Sequence, residues 1–163
     1  MSIFMYYEGV PGGQTADKNH HAHIDVDDLA WNVGRRITSQ SGTRHDRESA
    51  NVIIGDLTLT RRMDSASPYL FIRSCCGRGA DVVITLTETG TGSGSNVYMT
   101  YTLKNALLSS YEVDAGGHRN ARPTELLTLS FVDIEMKYTP YDDAGNALAP
   151  VAVGFDASNN EKH

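Results

Sequence analysis

Three histidines within four residues, His20-His21-Ala22-His23, are the most conspicuous chemistry-bearing group in this 163-residue chain. In an extended segment His21 and His23 point to one side and Asp25 continues it, a donor set from which a metal site can start. The further ligands such a site needs are not evident elsewhere in the sequence, so a polar surface loop entering a strand is the better reading. Cys75 and Cys76 are adjacent, and neighbouring cysteines rarely reach disulfide geometry without strain, so both are expected as reduced thiols. A nucleophilic Cys75 would need a base beside it. Leu70, Phe71, Ser74 and Cys75 fall on one helical stripe, which makes Cys75 an expected buried structural thiol and leaves Cys76 off the stripe. Gly90, Gly92 and Gly94 alternate with Thr and Ser, but no helix follows, so they form a hairpin connector rather than a phosphate cradle. The acids Asp25, Asp27 and Asp28, and Asp142 with Asp143, lack apolar neighbours to raise a pKa, and Asp142 to Asn146 lacks the glutamate of a calcium loop. No catalytic set, resident metal or cofactor site is expected, and the chain does not read as an enzyme.

The elements that must position these residues are strands. Thr124 to Tyr141 organises the rest: Leu127, Leu129 and Phe131 alternate with Thr128 and Ser130, and from Val132 the apolar set changes parity to Val132, Ile134, Met136 and Tyr138. Side chains alternate strictly across a pleat, so this phase change predicts a bulge or a long strand that leaves one apolar core and joins another. Ile3 to Glu8 predicts a strand at a sheet edge, ended by Gly9-Val10-Pro11-Gly12-Gly13. Ile24 to Ile37 predicts one strand, with Leu29, Trp31, Val33 and Ile37 on the buried face and Ala30, Asn32, Gly34 and Arg36 on the other. Asn51 to Arg62 and Asp81 to Glu88 predict further strands. Val97 to Asp114 predicts a second long strand or strand pair with its odd positions inward. Val151, Val153 and Phe155 predict a closing strand, followed by a polar tail. The run Asp64-Ser65-Ala66-Ser67-Pro68 predicts a helix start, with a Ser cap and Pro at the first helical position. The fold class is mainly β: one domain over residues 1–163, an antiparallel β-barrel or sandwich of two packed sheets with one short α-helix.

A net charge of −6 and a pI near 5.4 argue against a nucleic-acid partner, since phosphate binding rests on clustered Lys and Arg. Arg35-Arg36, Arg44 to Arg47 and Arg61-Arg62 sit beside acids or at strand ends and read as solvated or subunit-contacting. No apolar run approaches the roughly 20 residues of a membrane span, and the N-terminus has no basic leader, so neither membrane insertion nor a signal peptide is expected. Thr38 to Ala50 holds no apolar residue larger than alanine, and a polar loop of that length usually has a job.

Five stretches, in their order and spacing, carry a resemblance: YYEGVPGG at Tyr6 to Gly13, IDVDDLAWNVGR at Ile24 to Arg35, DSASPYLF at Asp64 to Phe71, LLSSYEV at Leu107 to Val113, and RPTELLTLSFVDIEMKYTPYD at Arg122 to Asp142. On these the chain resembles, nearly end to end, the Hcp family of type VI secretion tube proteins. The departures are the histidine cluster, the vicinal cysteines and the Gly-Ser connector. The resemblance implies a β-barrel subunit that assembles into a hexameric ring and stacks into a hollow tube. It further implies propulsion by a contractile sheath, a spike protein at the tip, and effectors carried in the bore. The protein would be made in the cytoplasm and secreted without a signal peptide. In that setting the small polar face at Ala30, Asn32 and Gly34 is the candidate lumen lining, and Arg44, Asp46, Arg47 and Glu48 are the candidate ring-stacking residues. Two other readings stay open at this stage: a metal-binding small β-barrel enzyme using His21 and His23, and a monomeric binding or adaptor module.

Overall fold

The computed structural model describes residues 1–13, 19–37, 48, 50–92, 94–118 and 120–163. Among them lie one helix, α1 (Ser67–Cys75), and the strands β1 (Ser2–Tyr7), β2 (Ile24–Val26), β3 (Asp28–Ala30), β4 (Val33–Arg35), β5 (Val52–Ile54), β6 (Leu57–Arg62), β7 (Ala80–Thr89), β8 (Ser95–Asp114), β9 (Thr124–Ser130), β10 (Asp133–Tyr138), β11 (Val151–Asp156) and β12 (Glu161–Lys162). One layer runs β12-β11-β10-β8-β7-β1-β2, and a second, β3-β6-β9, joins it through β8. Every pairing is antiparallel. At Asp27 the chain bends from β2 into β3, and its N–H donates to the Thr60 carbonyl at 2.8 Å. The strands therefore wrap one apolar core as a nearly closed barrel, from which β10, β11 and β12 extend as a wing.

The organising segment behaves as its parity change requires, with one correction. It breaks at Phe131-Val132 into β9, which pairs with β6 and β8, and β10, which pairs with β8 and β11. It changes partners as expected, but Leu127, Leu129, Phe131 and Ile134 all belong to a single core rather than to two.

The expected long strand at Val97 to Asp114 is continuous over 20 residues, yet its inward parity changes along the way. Leu103 is buried, then Ala106 and Leu108, and beyond them Tyr111 packs on the core. The pairing with β7 shifts register between Ala80/Val82, where Asn105 takes a φ of 51°, and the pairing with β9 shifts between Leu108/Ser110. Each bulge adds one residue and turns the following side chains over. Leu107, expected inside, is consequently exposed; after the second bulge Tyr111 regains the odd inward parity, and Val113, on that same parity near the end of β8, is exposed.

Other expectations are corrected by local geometry. The strand Ile24 to Ile37 is three short strands, because the chain bends at Asp27 and breaks at Trp31-Asn32, where the Asn32 carbonyl accepts from Gly55 N–H at 2.9 Å. Val33 and Ile37 end up exposed. β1 is not an edge, since β2 and β7 flank it. The polar tail contributes β12 to the wing. In α1 the cap residue is Ala66, without a side-chain cap. Asp64 Oδ1 instead accepts from Ala66 N–H at 2.8 Å, and Ser67 Oγ accepts from Asp64 N–H at 3.0 Å. The buried face of α1 is Ser67 and Leu70, which leaves Phe71 and Cys75 exposed and overturns the expected thiol burial.

Arg61 is not a surface residue either: its side chain and that of Glu125 are both 0% exposed. Arg61 Nη1 lies 2.5 Å from Glu125 Oε2, and Nη2 lies 2.5 Å from Asp64 Oδ1. The guanidinium also donates to Ser67 Oγ at 3.3 Å and to the Asp25 carbonyl at 3.4 Å. The Tyr111 hydroxyl donates to Glu125 Oε1, and burial followed by this hydrogen bond pushes the phenol up to about 12. Removing one partner of a buried pair leaves an uncompensated charge, at a typical cost of about 3–5 kcal/mol, whereas an apolar pair of similar volume is often neutral. Arg61→Met is therefore expected to lose about 3–5 kcal/mol in urea unfolding, and Arg61→Met combined with Glu125→Met to recover at least half of that loss. A double variant no more stable than the single one would contradict this assignment.

Candidate functional site

The histidine cluster forms a cover on the barrel. Ile3, Met5 and Tyr7 of β1 face the core, which turns Phe4 and Tyr6 outward. His20 is buried and stacks on Phe4 with ring centroids 4.3 Å apart, and His23 meets the His20 ring at 4.9 Å and the Tyr6 ring at 5.9 Å. His23 N–H donates to the His20 carbonyl at 3.0 Å. A purely exposed loop was the sequence expectation, and the aromatic outer face of β1 is the reason His20 departs from it. His21 is exposed, apart from this stack. Among the described residues no three His, Cys, Asp or Glu side chains converge as metal ligands.

Burial, and next the neighbouring His20, hold the His23 imidazole below its ordinary range. The folded state thus favours neutral His23, and its contribution to stability is complete above about pH 6.5 and is lost as pH falls below that value. His23→Asn is expected to flatten the fall in melting temperature between about pH 6.5 and 5. A slope unchanged from the wild type would contradict the assignment.

The acids do not form a reactive pair. Asp25, Asp27 and Asp64 line an open groove together with Arg62 and Arg122. Burial, with Asp64 next, raises the Asp25 carboxyl, and Arg61 opposes the rise. Asp142 accepts from the backbone of Asn146 and Ala144, at 2.7 and 3.0 Å, which holds its carboxyl below the usual range and makes it a turn residue.

What remains is surface. Ala30, Asn32 and Gly34 are exposed, at the end of β3, in the break and in β4. Among the described residues β4 and β5 pair only with each other, as an arm off the barrel whose Val33 and Ile53 are 54% and 60% exposed. Glu48 is exposed and its carbonyl accepts from Arg35 Nη1 at 3.2 Å; Arg44, Asp46 and Arg47 lie outside the described residues. Two apolar surfaces escaped the sequence reading: the outer face of α1, and Tyr138, Val151 and Val153 on the wing. The first had a signal, since SPYLFIRSC carries a single charge, while the second follows the alternation expected of a buried strand. No helix among the described residues is long and apolar enough to cross a membrane.

A family model described as type VI secretion system effector, Hcp, matches residues 4–138. No curated protein sequence matches the chain significantly. Among solved structures, one described as a type six secretion system protein is similar at 22% identity with a TM-score of 0.89, over 99% of both chains. Hcp1 from Salmonella typhimurium is similar at 20% identity and a TM-score of 0.74, over 99% of this chain and 98% of that one. Hcp3 from Pseudomonas aeruginosa is similar at 17% identity and a TM-score of 0.64, over 94% and 98%. Identities this low establish the shared barrel and helix, while the match over residues 4–138 establishes kinship: the chain belongs to the Hcp family of type VI secretion systems.

Proposed function

We propose that this type VI secretion tube subunit works as a six-membered ring, that rings stack into a hollow tube, and that it has no catalytic step of its own. The observation that carries the reading is the family match, which takes in the barrel, the helix and the β4–β5 arm. An isolated two-stranded ribbon is marginal in water. The arm's exposed Val33 and Ile53 therefore favour docking against another subunit, and the arm leads to the polar segment 38–50.

In this reading Arg44, Asp46, Arg47 and Glu48 meet charges on the next ring. Ala30, Asn32 and Gly34 face the bore, where small polar groups neither collapse the channel nor hold cargo. A contractile sheath outside, a spike at the tip and effector proteins within complete the partners. The protein is cytoplasmic until firing and leaves through the machine itself.

Exposed ion pairs contribute about 0–1 kcal/mol each, so stacking is weak per loop and screened by salt. Arg47→Glu is expected to leave annular particles intact in negative stain while shortening or abolishing stacked tubes, and added salt is expected to shorten wild-type tubes. Tubes of wild-type length from the Arg47→Glu protein would contradict the role of the loop.

A further inference from the structure

The outward face of α1 is largely apolar. Pro68, Tyr69, Phe71, Ile72, Cys75 and Cys76 are exposed, and Ala66 to Ala80 contains two arginines and no carboxylate. A helix normally turns its polar side to water, and here the exposed side is the one that carries Tyr69, Phe71 and Ile72. The wing has the complementary character. Its register sets Met136 opposite Val153 and Tyr138 opposite Val151, on the same parity as buried Ile134. This face continues the inner side of the sheet past the edge of the core, leaving Val151 65% and Val153 61% exposed. Residues 133–163 hold six carboxylates against two lysines. Contiguous exposed apolar faces mark contact surfaces, and opposite rim charges set their pairing and orientation.

A ring requires a heterologous contact, in which each copy presents two different surfaces and the rotation closes. We infer that the outer face of α1 in one copy packs on the β10–β11 wing of the next, with the arginine-bearing helix segment facing the acidic wing. This rests on the ring reading above and specifies the surfaces that close it. It also gives the exposed cysteines a place: assembly buries Cys75 and Cys76 against a neighbour, away from oxidants and partner thiols, in the way an interface core excludes solvent.

Ile72→Asp and Val153→Asp each put a charge on one of the two surfaces at a position already exposed in the single chain. By mass photometry and negative stain the wild type is expected to form rings and each variant to be monomeric, with a thermal melt by circular dichroism matching that of a dissociated wild-type chain. An equimolar mixture of the two variants is expected to give a two-copy species and no rings, because each supplies the surface the other lacks. Should either variant fail to fold, Ile72→Ser and Val153→Ser are expected to weaken assembly at least tenfold. Rings from the wild type and from either Asp variant, or two-copy species from one variant alone, would overturn this contact and leave the ring reading standing. A wild-type chain that stays monomeric at every concentration would overturn both.

Discussion

The interior of this barrel is built around a charge. Arg61 and Glu125 are register partners on β6 and β9, both fully buried, and Asp64, Ser67 and Tyr111 surround them. One guanidinium thereby ties two strands to the start of the helix, and through Tyr111 to the long strand β8. Side chains alternate with a period of two, so a slip of one residue between β6 and β9 would separate the pair and strand a charge in an apolar core. The cluster fixes the register on which the surrounding leucines, Leu57, Leu59, Leu127 and Leu129, depend for their burial. Its role is specificity more than net stability, since desolvating two ions offsets much of their attraction.

Much of the fold was legible because its strands alternate. The parity change at Val132 marks the point where the organising segment passes from the barrel to the wing. Less was legible where a single residue alters the count. Nothing in the residue types around Asn105 or Ser109 announces a bulge, yet each inverts the side chains that follow, so the odd-face reading of Val97 to Val113 fails between the two, at Leu107, and holds again at Tyr111. The break at Trp31-Asn32 was hidden in the same way.

Residue type misled in two places. A basic pair at a strand end looks solvated, and Arg61 is buried only because its partners arrive from β9, from β2 and from the start of α1, none of them near in sequence except Asp64 and Ser67. The helix was read from its apolar stripe, which pointed to Phe71 and Cys75, whereas the observed buried face is Ser67 and Leu70. An apolar stripe locates a core only when the remainder of the helix is polar, and here it is not. The lumen and stacking residues were placed by analogy with the family, and the described parts of the chain show Ala30, Asn32, Gly34 and Glu48 exposed.

The architecture separates two tasks: a core locked by an internal ion pair, and a surface with apolar faces left open for other copies. Hydrogen–deuterium exchange on wild-type protein, compared between assembled and dilute dissociated states, measures that separation most directly. The expected result is slow exchange around Arg61 and Glu125 in both states, with protection rising on assembly along residues 68–76 and 148–156. Fast exchange around Arg61 and Glu125 in the dissociated chain, or an even rise along the whole sequence, would mean that the barrel forms only on assembly, and would contradict a preformed, charge-locked core.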